Sequence, residues 1–279
     1  MDVFWISLLV LGLIGAVFAL LLYYVAQRFW VPEDPLIDEV LSVLPGANCG
    51  GCGKAGCKAM AEAFVKQGNM EGLRCPVGGE SVARKVAALL DCSPLVTEPQ
   101  VATVRCSACF AKQPTTLYDG LKDCAFVSSV YVGDGGCAYG CLGYGNCVPT
   151  CQFGAIKMDQ ERRIPVIDDD KCTGCGACAN ACPRHVIELR NRGVNNQKVF
   201  VRCVNQDKGV EARKVCTKAC IGCGKCERTC LFGAVTVQNN VAYVDVRKCK
   251  QCRKCVVECP TGALVAQNFA TPLKSQDSD

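Results

Sequence analysis

Residues 3–26, VFWISLLVLGLIGAVFALLLYYVA, contain no charged side chain. A helix of that length spans roughly 36 Å, enough for a bilayer core, so the run predicts one transmembrane helix. It lacks the basic leader of a cleaved signal peptide, its apolar stretch is too long for one, and no small-x-small site follows. The expected anchor covers residues 1–30. Asp2 precedes the helix and Arg28 follows it, which by the positive-inside rule puts the bulk of the chain in the cytoplasm.

Beyond a Pro-rich joint, VPEDP at 31–35, Asp34 is placed to cap a short helix with Pro35 in its first turn, ending near Pro45 and Gly46. Helical patterns at 55–67 and 81–91 complete a small domain over 31–92, and SPLVTEPQ at 93–100 opens a linker taken to run over 93–105. From residue 124 the pattern repeats. Cys124-x12-Cys137-x3-Cys141 is matched by Cys203-x12-Cys216-x3-Cys220, QFGAI at 152–156 by LFGAV at 231–235, and KCTGCGACANACP at 171–183 by KCKQCRKCVVECP at 248–260. Two related units are expected, 106–190 and 191–265, before a polar tail at 266–279. The predicted fold class is α+β: a transmembrane helix, a small helical four-cysteine domain and two tandem two-cluster ferredoxin units.

Composition turns this pattern into chemistry. The chain has 26 cysteines in 279 residues, too long a chain for the usual disulfide scaffold. Most fall in C-x2-C-x2-C-x3-C runs, the spacing that wraps thiolates round an iron–sulfur core in a reducing compartment. In two-cluster ferredoxins the last cysteine of each run serves the other run's cluster. Crossed in that way, Cys172, Cys175 and Cys178 join Cys151; Cys220, Cys223 and Cys226 join Cys259; Cys249, Cys252 and Cys255 join Cys230. The fourth set, Cys141, Cys147 and Cys182, is one thiol short, because CLGYGNC carries Tyr144 where CIGCGKC carries Cys223. Cys137 is the nearest spare thiol and is expected to complete it, with a three-iron cluster or an open iron site as the rival. Cys49, Cys52, Cys57 and Cys75 form a further set, for which structural zinc remains open on spacing alone. That makes five [4Fe-4S] clusters. A sixth can be drawn from Cys106, Cys109 and Cys124 with Cys203 or Cys216. Cys92 reads as an ordinary buried thiol, and His185 as solvated or adjacent to a cluster rather than a ligand.

A net charge of +5 without a basic and aromatic stripe leaves nucleic acid unsupported. GDGG at 133–136 is a turn that lacks the strand and helix context of a dinucleotide loop. No catalytic residue is expected. Around the last run, RKCKQCRK at 247–254 carries Arg247, Lys248, Lys250, Arg253 and Lys254 with no acidic residue inside it, which reads either as a solvated loop or as a docking site.

The apolar helix, LPGANCGGCGKAGC followed by RCPVGG, the CLGYGNC run and the ferredoxin runs together resemble the B subunit of the Rnf complex in its long, multi-cluster form. The resemblance covers nearly the whole chain up to about residue 266. It implies the iron–sulfur input component of a complex in the cytoplasmic membrane that moves electrons between reduced ferredoxin and NAD while pumping sodium ions or protons. Flavin and nicotinamide sites would lie on other subunits. It also favours a four-iron cluster over zinc at Cys49, Cys52, Cys57 and Cys75. A membrane redox sensor is the alternative of a different class.

Overall fold

Helix α1 (Asp2–Arg28) stands apart from the rest, exposed along its length and apolar enough from Phe4 to Arg28 to cross a membrane. The computed structural model describes residues 2–28, 34–95, 98–108 and 118–270. Part of the expected joint at 31–35, two residues of the linker, Cys109 and most of the polar tail lie outside them.

The small domain is a three-helix cluster. In α2 (Pro35–Val43), the Asp34 carboxylate accepts the Leu36 N–H at 2.9 Å, and Pro35 occupies the first turn, where no N–H is needed. α3 (Cys57–Gln67) ends at Gly68 in the left-handed conformation, and α4 (Gly79–Leu89) closes the bundle. Val40, Met60, Phe64 and Val86 are buried between the three helices, and Cys52, Cys57, Cys75 and Cys92 pack against that core.

Each ferredoxin unit is held by two antiparallel strand pairs. In the first, β1 (Gln100–Val104) pairs with β4 (Ile187–Asn191), and β2 (Ile156–Asp159) with β3 (Ile164–Ile167). Helices α5 (Cys124–Val130) and α6 (Ala177–Asn180) complete it. In the second, β5 (Lys198–Val201) pairs with β8 (Leu264–Gln267), and β6 (Val235–Gln238) with β7 (Val241–Val244). Helices α7 (Gly209–Val215), α8 (Lys225–Thr229) and α9 (Lys254–Val257) flank those strands. The β6–β7 turn is Asn239-Asn240, both at positive φ, as a two-residue hairpin turn of the primed type requires.

Three boundaries differ from the sequence expectation. Residues 100–104, assigned to the linker, are β1, the strand that closes the first unit. Val101, Ala102 and Thr103 are all buried, so the segment shows no alternation to mark it as a strand. The second unit begins at Lys198 rather than at 191, because Asn191 is still paired in β4, and its closing strand runs to Gln267, into the expected tail.

The three bodies pack on one another through polar and backbone contacts. Arg74 of the small domain donates to Gln100 Oε1 at 2.8 Å. A Cβ on Gly51 would lie 2.4 Å from the Cys175 carbonyl oxygen, so only glycine lets the two cysteine loops approach this closely. Between the ferredoxin units, Lys198 Nζ meets Asp169 Oδ1 at 2.8 Å with both side chains buried, and Asn268 Nδ2 donates to Asp169 Oδ2 at 2.7 Å. Removing one partner of such a pair strands a buried charge. Asp169→Ala should therefore cost about 3–5 kcal/mol, read as earlier loss of visible absorbance on anaerobic heating, whereas Asp169→Leu with Lys198→Met should recover most of it.

Candidate metal centres

In the small domain, Cys49 and Cys52 lie in the glycine-rich loop before α3, and Cys57 is the first residue of that helix. Asn48, at φ 47°, folds the loop back so that its side-chain oxygen accepts the Cys57 N–H at 2.8 Å. Cys75 receives the Gly78 N–H at 3.4 Å. Burial pushes the Cys75 thiol up, with Cys52 and Cys57 close enough to add to the rise.

The ferredoxin units assemble their cysteines crosswise. Burial pushes Cys178 up to about 12, and the neighbouring thiols of Cys172, Cys175, Cys147 and Cys151 reinforce it. Cys255, likewise at about 12 through burial, is surrounded by Cys249, Cys226, Cys252 and Cys230. Cys226 rises to about 11 by burial beside Cys220, Cys259 and Cys223, and these four line one cavity. Backbone N–H groups point at the sulfurs: Ala155 to Cys151 and Ala242 to Cys220 at 3.3 Å, and Ala102 to Cys172, Ala234 to Cys230 and Gln251 to Cys249 at 3.4 Å.

The thiol that lies beside the incomplete set is not the one expected from spacing. Cys141, Cys147 and Cys182 line one cavity together with Cys124, not Cys137. Burial takes Cys141 to about 12, with Cys106, Cys182 and Cys124 nearby, and takes Cys147 to about 11, with Cys182 and Cys124 nearby. Local chemistry places Cys124. Asp123 caps α5 by accepting the Phe126 N–H at 2.9 Å, and Asn146, inside the CLGYGNC run, accepts the Cys124 N–H at 2.9 Å while donating to Asp123. Tyr144 is directed elsewhere, edge-on to Tyr118 at 6.5 Å and beneath the Arg163 guanidinium at 5.7 Å. The Asp123 cap directly before a cysteine is the sequence signal for this placement of Cys124, and spacing alone points past it to Cys137.

Cys137 instead shares a cavity with Cys106, Cys203 and Cys216. Asn205 Nδ2 donates to Cys137 Sγ at 3.4 Å, and burial raises Cys203 to about 11. Cys124 is thus absent from the group expected for a sixth cluster, and Cys109 lies outside the described residues. The repeat explains the exchange. Cys203 is the counterpart of Cys124, but its own unit has a complete run with Cys223, which leaves Cys203 free to join a group between the units. His185 is exposed, and Cys92 is part of the small domain's packing.

These groups fit iron–sulfur cores. Among the described residues the cysteines form no disulfide, most of those in the ferredoxin units are grouped with other cysteines, and several are approached by N–H donors. Thiolates this buried and this close repel one another and need a polycationic core to exist. Among the described residues, no three His, Cys, Asp or Glu side chains converge on a point that a single ion could occupy. The arrangement defines an iron–sulfur protein of the multi-cluster ferredoxin class carrying an N-terminal apolar helix.

Family models agree. Residues 136–186 and 219–263 match a 4Fe-4S dicluster domain, residues 164–231 match a second model of that description, and residues 44–77 match a putative Fe-S cluster. The chain is 42% identical over 245 residues to the B subunit of the ion-translocating oxidoreductase complex of Methanosarcina acetivorans, covering 87% of this chain and 90% of that protein. It is 43% identical over 241 residues to the B subunit of the Na(+)-translocating ferredoxin:NAD(+) oxidoreductase complex of Acetobacterium woodii, covering 86% of this chain and 71% of that one. The counterpart from the proton-translocating complex of Clostridium ljungdahlii is 42% identical over 243 residues, covering 87% and 84%. The chain belongs to the B-subunit family of the ion-translocating oxidoreductase, or Rnf, complexes.

Proposed function

We propose that this chain is the electron-input component of an ion-translocating ferredoxin:NAD oxidoreductase complex, relaying electrons from reduced ferredoxin through six thiol sets toward membrane partners. Bound [4Fe-4S] clusters supply one-electron exchange with little change of shape. The ligand sets we assign are Cys49, Cys52, Cys57 and Cys75; Cys151, Cys172, Cys175 and Cys178; Cys124, Cys141, Cys147 and Cys182; Cys106, Cys137, Cys203 and Cys216; Cys220, Cys223, Cys226 and Cys259; and Cys230, Cys249, Cys252 and Cys255.

The observation that carries the proposal is the continuity of these sets. Gly51 abuts Cys175, Cys178 is near Cys147, Cys141 near Cys106, Cys203 near Cys220, and Cys226 near Cys255. Each set neighbours the next, from the small domain to the far end of the second unit. The set between the units joins what would otherwise be two separate ferredoxins.

The far end supports a docking role. Cys252 is exposed, and Arg247, Lys248, Lys250 and Lys254 around it are exposed as well. Gly143 and Gly145, Gly174 and Gly176, and Gly222 and Gly224 all hold positive φ inside their runs; the last run has Gln251 at 55° and Arg253 at 62° instead. Side chains held in this conformation at a penalty of roughly 1–2 kcal/mol each are retained for what they do. Gln251 ties the run to the Gln197 carbonyl at 3.1 Å, and Arg253 lies over Phe269 at 4.7 Å while adding positive charge beside Cys252. An acidic electron donor would be steered to such a surface. Electrons would leave through the Cys49 set, which chain length keeps near α1, with the iron–sulfur bulk on the cytoplasmic side as Arg28 favours.

Two experiments test this. Cys124→Ala should abolish the signal of one cluster in the first unit, Cys137→Ala should abolish that of a different cluster, and Tyr144→Phe should leave both; loss of the same signal in both cysteine variants would overturn the assignment. Reversing the charges of Lys250, Arg253 and Lys254 should slow reduction by ferredoxin by roughly tenfold or more at low ionic strength and flatten its salt dependence. Cluster content and reduction by a small neutral reagent should not change, and unaltered ferredoxin kinetics would place the docking site elsewhere.

A further inference from the structure

The seam between the ferredoxin units contains a buried arginine and two half-buried charged partners that ligation does not require. Arg190, on β4 and 3% exposed, donates Nε to Glu188 Oε1 at 2.6 Å, Nη1 to the Val199 carbonyl at 3.0 Å and Nη2 to the Val244 carbonyl. Arg105, just beyond β1, donates Nη1 to Glu188 Oε2 at 3.2 Å. Its Nε and Nη2 reach the carbonyls of Val201 at 3.4 Å and Cys203 at 3.3 Å. The Arg190 and Arg105 guanidiniums lie 5.3 and 5.2 Å from the centre of the Tyr243 ring.

Both arginines belong to the first unit, and all four carbonyls belong to the second. One carboxylate between two guanidiniums leaves a net single positive charge, and guanidinium does not give up its proton. Arg105 is anchored on the backbone of Cys203, in the set between the units. Arg190 is anchored on Val244; the next residue, Asp245, accepts the Cys249 N–H through its carbonyl at 3.0 Å. The charge therefore sits between two cysteine sets, in a medium far less screening than water.

Resting on the cluster assignment above, we propose that Arg105, Glu188 and Arg190 form a fixed-charge bridge that raises the reduction potentials of the clusters held by the Cys203 and Cys249 sets. An electron arriving at either set adds negative charge, which a buried net positive charge stabilises. The bridge would then make the second unit a better electron acceptor from a soluble donor, while also clamping the two units together.

A merely structural clamp and a charge bridge differ in sign. Glu188→Gln preserves shape and raises the net charge, whereas Arg190→Gln lowers it, and Arg190→Lys keeps the charge but loses the guanidinium fork. The test is an EPR-monitored redox titration of the full chain, with iron per chain measured in every variant. The Cys249-set signal is identified as the one lost in Cys252→Ala. Arg190→Gln should lower its potential by the equivalent of roughly tenfold in the one-electron equilibrium, about 59 mV, Glu188→Gln should raise it, and Arg190→Lys should stay near the parent. Shifts of the same sign in Arg190→Gln and Glu188→Gln, or none in either with full iron, would overturn the proposal. If Arg190→Gln loses clusters, the sign in Glu188→Gln decides. Absence of cluster signals from the parent protein would instead defeat the cluster assignment itself.

Discussion

The two ferredoxin units depend on burying thiols in groups. Cys147, Cys178, Cys203, Cys220, Cys226, Cys255 and Cys259 are all buried, and they form part of the hydrophobic cores rather than decorating them. The strands around them are four or five residues long and pair only in twos. Such elements expose too much edge to be stable alone. The proteins of this class therefore fold around their inorganic cores, and the loops, glycines and short helices are arranged to present sulfur and N–H groups to them.

The internal duplication shows how that constraint permits change. The two units keep the same cysteine framework, yet the first has Tyr144 where the second has Cys223, and Cys124, at the start of α5, lines the cavity of Cys141, Cys147 and Cys182. The second keeps the full run, so the equivalent Cys203 is released. Together with Cys106, Cys137 and Cys216 it forms the group at the seam. A single difference between the two copies of a repeat thus accompanies a different placement of equivalent cysteines, and the proposed relay depends on the group at the seam. The buried Asp169–Lys198 pair and the Arg105–Glu188–Arg190 group hold the seam at fixed geometry.

Local features are legible in the sequence. The apolar run marks α1, Asp34 and Pro35 mark the start of α2, and the cysteine spacing groups Cys172 with Cys151, Cys220 with Cys259 and Cys249 with Cys230. Features that depend on distant partners are not. β1 is five residues whose partner lies almost ninety residues away, and it resembles linker because every central side chain is covered. The choice between Cys124 and Cys137 turns on a hydrogen bond between Asn146 and the Cys124 backbone across a long loop. Arg105 and Arg190 have ordinary sequence surroundings, and only the docking of one unit on the other makes them a pair. The contact of Gly51 with Cys175 is likewise invisible in sequence, since a glycine between cysteines is explained equally well by its own loop.

The most direct test is the iron and acid-labile sulfide content of anaerobically purified protein, measured with zinc on the same sample. Six sets of four thiols require about 24 iron atoms and as many sulfides per chain, with negligible zinc. About 20 of each would leave one of the six sets without a cluster and contradict the continuous row, and a colourless, zinc-rich preparation would contradict the iron–sulfur assignment altogether.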